Sequence, residues 1–316
     1  MGPKSFVSSF MKLLLANLLL IMNRISGLFV VVLVCILQCS ESRETRQEGP
    51  FEWGVAKGVL DNKKIDEASG LAASRVNPGM FWTHNDSGKR GEIFLIDSLS
   101  SHKATFTLEG IVNRDWEDIA VGPGPDSTKS YIYVGEIGDN HSRYEFKYIY
   151  RLEEPVFSEN ESGLLIKDVD SIKFSLPGGP RDIEALMVDP SSKDLYLFSK
   201  RERSINLYRL PYPQPTTETF VGERVIKDLP FSDIVAADWS QDGSEILIKD
   251  YGNVYYWKIE KGKSIIETLQ SKPEILAYER EPQGESICFD ITGKGYYTLS
   301  EEVKGIKPEL LFYKRK

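Results

Sequence analysis

Five times along this chain an acidic residue opens an apolar, strand-forming run. The instances are Glu67 ahead of Ser69-Gly70-Leu71, Glu117-Asp118-Ile119, Glu184-Ala185-Leu186, Asp238-Trp239 and Glu285-Ser286-Ile287, and their starts lie 50, 67, 54 and 47 residues apart. Recurrence on this scale marks an array of similar supersecondary units, each needing its neighbours to bury its apolar faces. Within each repeat, short runs rich in Tyr, Phe, Ile, Val and Leu (80–84, 131–135, 194–199, 245–249, 295–299) alternate with Gly, Asp, Asn, Ser and Pro. Strand-length runs with turn punctuation, and almost no helical period, specify an antiparallel all-β chain.

Four-stranded units arranged radially make a β-propeller. Most spacings match the roughly 40 to 50 residues of one blade, so five blades are expected. A six-bladed ring is the alternative if the 67-residue repeat hides a further sheet. From Glu285 onward only 32 residues remain, enough for three strands. Residues 51–60 are therefore expected to supply the missing fourth strand and close the ring, which makes 51–316 the propeller domain.

Residues 1–39 carry only Lys4, Lys12 and Arg24 as charges and read as a targeting segment. Neither apolar stretch, 13–22 or 25–37, reaches the roughly 18 to 20 residues that span a bilayer. Met22-Asn23-Arg24 is a short basic start for the second stretch, so Met22 is an alternative true start. The run Ile36-Leu37-Gln38-Cys39-Ser40 resembles a bacterial lipoprotein signal, with Cys39 as the lipidated residue and Gln38 departing from the usual small residue. An uncleaved anchor or ordinary secretion are the other readings. All three place the body outside the cytoplasm, tethered by the polar residues 40–50.

Cys35 and Cys39 belong to that segment, which leaves Cys288 alone in the body, in the apolar context of a buried hydrophobe. Stability must then come from a large core. Beyond residue 39 there are 47 acidic and 36 basic residues, a formal charge of −11. An acidic body without a basic tract does not suit nucleic acid, and a monomer that binds a small ligand or an envelope partner is expected.

In an up-and-down blade the start of the first strand and the end of the second lie on one rim. Carboxylates at those points would crowd the mouth of the central channel, where they must be protonated, paired or bound to a cation. Oxygen ligands without a His or Cys cluster suit Ca2+. Glu67, Glu117, Glu184, Asp238 and Glu285 are the candidate metal ligands. Asn85, Asp86, Asp115, Asp139 and Asn140 are the candidate ligand contacts. His84, Lys200 and Arg201 are the candidate catalytic groups. Gly138 permits a tight bend that lets Asp139 and Asn140 present oxygen; the competing structural reading is that the acids cap backbone N–H groups or pair with Arg and Lys, that Trp116 serves blade packing, and that Asp139-Asn140 form an Asx-type turn. No Gly-x-Ser-x-Gly elbow, P-loop or His-Glu-x-x-His accompanies His84.

The segments Ala68-Ser69-Gly70-Leu71, Phe81-Trp82-Thr83-His84-Asn85-Asp86-Ser87-Gly88, Asp115-Trp116-Glu117-Asp118-Ile119-Ala120, Ile137-Gly138-Asp139-Asn140 and Ile149-Tyr150-Arg151 resemble a family of secreted or lipid-anchored bacterial β-propellers whose activity is not established. More distantly, the acidic-led strands resemble the esterase-like phytase propellers and the five-bladed calcium-dependent apyrases. That resemblance implies, as the alternative to a binding protein, a cation-dependent phosphoesterase.

Overall fold

The computed structural model describes residues 49–159 and 163–316. The proposed targeting segment 1–39, with Met22 and Cys39, and most of the tether lie outside the described residues. The first described strand, β1 (Val55–Val59), comes before the first complete blade. Blade 1 is built from β2 (Ala68–Ala73), β3 (Met80–Asn85), β4 (Arg90–Asp97) and β5 (His102–Val112). Blade 2 takes β6 (Trp116–Pro123), β7 (Ser130–Glu136), β8 (Lys147–Glu153) and, after the excursion β9 (Leu164–Ile166), β10 (Asp170–Ser175). Blade 3 is β11 (Ile183–Val188), β12 (Leu195–Ser199) and β13 (Ile205–Leu210), then, after β14 (Phe220–Val221), β15 (Glu223–Leu229). Blade 4 is β16 (Ile234–Trp239), β17 (Glu245–Asp250), β18 (Val254–Lys258) and β19 (Glu274–Ile275), with the one-turn helix α1 (Ile265–Leu269) between the last two. Blade 5 is β20 (Gly284–Phe289), β21 (Gly295–Ser300) and β22 (Glu309–Lys314).

Its fourth strand is β1, antiparallel to β22, with Val55 opposite Phe312 and Val59 opposite Glu309. Phe51 bridges Arg315 just before it. The N-terminal strand thus closes the ring, and the blade number is five. The inner strands neighbour one another in the cyclic order β2, β6, β11, β16, β20 and back to β2. Among the described residues no sixth sheet fills the long second repeat. Its extra residues form β9, which pairs parallel with β5 on the outer edge of blade 1, just as β14 pairs parallel with β10 of blade 2. Both straps occupy strand edges that would otherwise present unpaired backbone groups.

The core lies in the seams between blades, and the described residues give one apolar cluster per seam. Trp82 and Trp116 are fully buried between blades 1 and 2; Phe198 and Trp257 belong to the cluster between blades 3 and 4; Tyr297 and Cys288 join Phe81 in the closing seam. Removing either of the two fully buried tryptophans would cost roughly 3–5 kcal/mol. Cys288 is buried, and desolvation raises its thiol pKa well above the ordinary value, so it is packing and not a reactive nucleophile.

Candidate functional site

Each inner strand carries an irregularity at the same place, where one residue is skipped in its pairing with the second strand. The extra residues are Gly70, Glu117, Glu184, Val235 and Glu285. A β-bulge re-aims a side chain that regular pleating would send into a seam. Three of the five bulges therefore hold a glutamate at the channel mouth, and blades 1 and 4 do not. The acidic repeat read from the sequence is thus not in structural register throughout: Glu67 stands three residues before its bulge and Asp238 three residues after its own.

Glu117 is the hub. Its carboxylate oxygen lies within 4.8 Å of oxygens from Asp86 and Asp115, and it belongs to a second group of the same compactness with Asp182 and Glu184. Glu117 and Glu184 are 5% and 4% exposed, so neither charge is well hydrated. Desolvation first, then the Glu184 and Asp86 charges, push the Glu117 pKa well above the ordinary carboxyl value. Desolvation also raises Glu184, but Lys200 opposes it. Glu117 and Glu184 are hydrogen-bonded to each other, a contact that two ionised carboxylates could not make without a shared proton, and Lys200 lies 2.8 Å from Glu184 on its other side. Asp86 is raised to about 7 by desolvation and by Glu285, and Asp115 is raised by desolvation and Asp182.

The polar ring continues around the mouth. Lys200 Nζ is 2.8 Å from Glu184 Oε2 and donates to the Tyr251 hydroxyl at 3.0 Å; that hydroxyl donates to Glu285 Oε1 at 2.5 Å. Glu285 in turn faces Glu301, whose pKa burial and the Glu285 charge drive upward. Desolvation opposes the charge of Lys200, yet Glu184 and Tyr251 outweigh it and hold the ammonium's pKa above the usual lysine value. Arg201, half exposed and in the left-handed region (φ 64°), sends Nε to Asp182 Oδ2 at 2.5 Å and Nη2 to 3.7 Å from Glu184 Oε1.

Gly138 makes room for the hub. A Cβ there would overlap Glu117 Oε1 and stand 2.6 Å from Asp115 Cγ, although its φ is not in the left-handed region. Its missing side chain serves the carboxylates, where the sequence suggested a tight bend. Buried Lys147, 3.6 Å from Asp139, also lies close enough to Asp115 and Asp182 for its charge to act on both; desolvation nevertheless lowers its pKa. It is a compensating cation that a strand-forming sequence context did not reveal.

The other sequence candidates sit differently. Glu67 pairs with Lys89 at 3.2 Å, both side chains being 45% and 37% exposed. Asp238 works deeper in the channel, accepting from Phe289 N at 2.7 Å, as Asp118 accepts from Leu186 N at 2.9 Å; each carboxylate ties one inner strand to the next. Asp139 closes its own loop by accepting from Arg143 N at 2.7 Å and Tyr144 N at 2.9 Å, and Asn140 beside it is exposed. Asn85 accepts from Glu67 N at 3.2 Å and donates to Lys64 O at 2.6 Å. His84 is fully buried under Gly70 and edge-on to Trp116, its Nδ1 2.8 Å from Asn85 O, and desolvation lowers its pKa to about 4. A neutral, enclosed imidazole of this kind supports packing and not proton transfer at the mouth. Lys200 and Arg201, by contrast, do border the carboxylates.

No protein-family model matches the chain, and no curated protein matches it. Among solved structures it is similar to the PQQ-bound form of an aldose sugar dehydrogenase from Streptomyces coelicolor, at 10% identity and a TM-score of 0.49, covering 83% of this chain and 97% of that one. That similarity concerns chain trace alone. The class defined by the strand order is a five-bladed β-propeller with a carboxylate-lined mouth.

Proposed function

We propose that this protein is an extracytoplasmic β-propeller, lipid-anchored through Cys39, that binds a small ligand or an envelope partner at a calcium-loaded channel mouth. The observation that carries the reading is the position of Glu117 in both three-carboxylate groups. A desolvated set of this kind is stable only when protons, fixed cations or a metal neutralise it. Lys200, Arg201 and Lys147 compensate part of the charge, and a divalent cation would displace the protons that hold the remainder. All the donors are carboxylate oxygens, the hard ligands that Ca2+ prefers, and its 6 to 8 coordination positions would leave some for an incoming oxygen ligand. The likeness of the motifs to anchored bacterial propellers supports the same location.

Isothermal titration with Ca2+, with Glu117→Gln as control, tests this. Saturable binding that the substitution abolishes, with the fold retained, supports a site; no heat at millimolar Ca2+ removes it. Mass spectrometry of the membrane-extracted protein tests the Cys39 lipid separately.

A second reading is favoured by the placement of Lys200 and Arg201 beside Glu184. A cation there would polarise a phosphoryl oxygen and activate water while the two cations hold the remaining anionic oxygens, giving a phosphoesterase. Calcium-dependent hydrolysis of p-nitrophenyl phosphate that is lost in Arg201→Ala would establish it over simple binding.

A further inference from the structure

The outer rim of blade 3 carries a pocket of opposite character to the acidic mouth. It is an open depression of about 360 Å3 lined by Arg181, Arg203, Arg224 and Lys227 against only two carboxylates, Glu202 and Asp228. Four cations against two carboxylates leave this pocket positive in a body of net charge −11. Glu202 engages Arg181, and Asp228 stands 3.5 Å from Lys227. Among the described residues Arg203 and Arg224 have no carboxylate partner. The turn at Gly178, with φ 92°, sets two guanidinium groups around one point: Arg181 Nη2 lies 3.5 Å and Arg224 Nη1 3.9 Å from where a Cβ of Gly178 would stand.

Unsatisfied polar atoms accompany this charge. Asn206 is 5% exposed and lines the pocket; its Nδ2 donates to Glu202 Oε2 at 2.9 Å, while its Oδ1 is buried without a partner. Glu202 also accepts from Ser199 Oγ and Arg181, so it is engaged on both oxygens, and it fixes which way the Asn206 amide faces. Arg181 Nε is likewise buried and unpartnered. Buried polar atoms are normally satisfied, and a pocket holding one free acceptor beside free guanidinium donors has a specific complement.

We propose that this pocket binds a small hydroxylated oxyanion, of the sugar-acid or sugar-phosphate class. The anionic group sits between Arg224, Arg203 and Arg181 Nε, and a hydroxyl of the same molecule donates to Asn206 Oδ1. Guanidinium groups suit both carboxylate and phosphate oxygens, so the two anion types share this chemistry. None of the pocket's lining residues belongs to either carboxylate group at the mouth, so Glu117→Gln is expected to retain this site.

Calorimetric titration at low salt with glucuronate, glucose 6-phosphate, glucose and inorganic phosphate tests the proposal. Glucuronate or glucose 6-phosphate is expected to bind at least about tenfold more tightly than glucose. The exposed double variant Arg203→Gln/Arg224→Gln is expected to lose at least that factor with an unchanged melting temperature. Asn206→Ala is expected to bring glucose 6-phosphate down to the affinity of inorganic phosphate. Absence of binding by both hydroxylated anions at millimolar concentration, or binding that the double variant leaves unchanged, overturns the site. Inorganic phosphate binding as tightly as glucose 6-phosphate to the unaltered protein overturns the hydroxyl contact.

Discussion

Lys200 Nζ lies 2.8 Å from Glu184 Oε2, and only 4% and 5% of the two side chains are exposed. Neither charge can fall back on water, so each depends on the other. Through Tyr251 the pair continues to Glu285, joining blades 3, 4 and 5 at the mouth.

Lys200→Met should therefore destabilise the protein by about 3 kcal/mol, the cost of stranding a buried charge. Adding Glu184→Gln to Lys200→Met should restore most of that loss. Urea denaturation of the two single variants and the double variant measures the coupling directly.

The raised carboxyls set a pH dependence of definite sign. A group whose folded pKa exceeds its unfolded value binds its proton better in the folded state, so its contribution is full below the unfolded pKa and is lost as pH rises through the folded one. Asp86, raised to about 7, and the upward-shifted Glu117 and Glu184 should make the cation-free melting temperature fall between about pH 5 and pH 8. Glu117→Gln should flatten that fall, and saturating Ca2+ should do the same in the unaltered protein. Thermal melts with chelator and with calcium follow both effects.

Gly138→Ala should act on the site through packing. Its methyl group would press on Glu117 and Asp115, with an expected destabilisation of about 1–3 kcal/mol and loss of cation binding at a temperature where the protein remains folded. Gly163→Ala is the comparison: like Gly138 it lies outside the left-handed region, but its Cβ meets no neighbour within 4 Å, so cation binding should survive.

Calcium binding should release protons, because the ion replaces those held by Glu117 and its neighbours. Heats measured near pH 7 in buffers of different ionisation enthalpy should differ, whereas a site already fully ionised would give equal heats.

The ring was legible because blade spacing and the three-strand remainder after Glu285 both depend on chain length, which the sequence states directly. Residues 51–60 indeed contain the closing strand, Val55–Val59. The strap β9 was not legible: three residues pairing parallel with a strand of another blade leave no periodic trace. At the mouth, Glu117, Glu184 and Glu285 were found because acidic residues that open inner strands recur, but the same pattern swept in Glu67 and Asp238. What separates them is the bulge, a one-residue offset set by the second strand's pairing. Asp182 and Lys147 are absent from the candidates read off the sequence, because their convergence belongs to the tertiary structure.

The most direct test of the cation-binding hub is a crystal structure grown in saturating Ca2+, with anomalous scattering used to locate the ion. The expected result is a peak bordered by Glu117 together with Asp86 and Asp115 or with Asp182 and Glu184, with oxygens at about 2.3–2.6 Å. The same carboxylates well ordered around a mouth without an anomalous peak would contradict it.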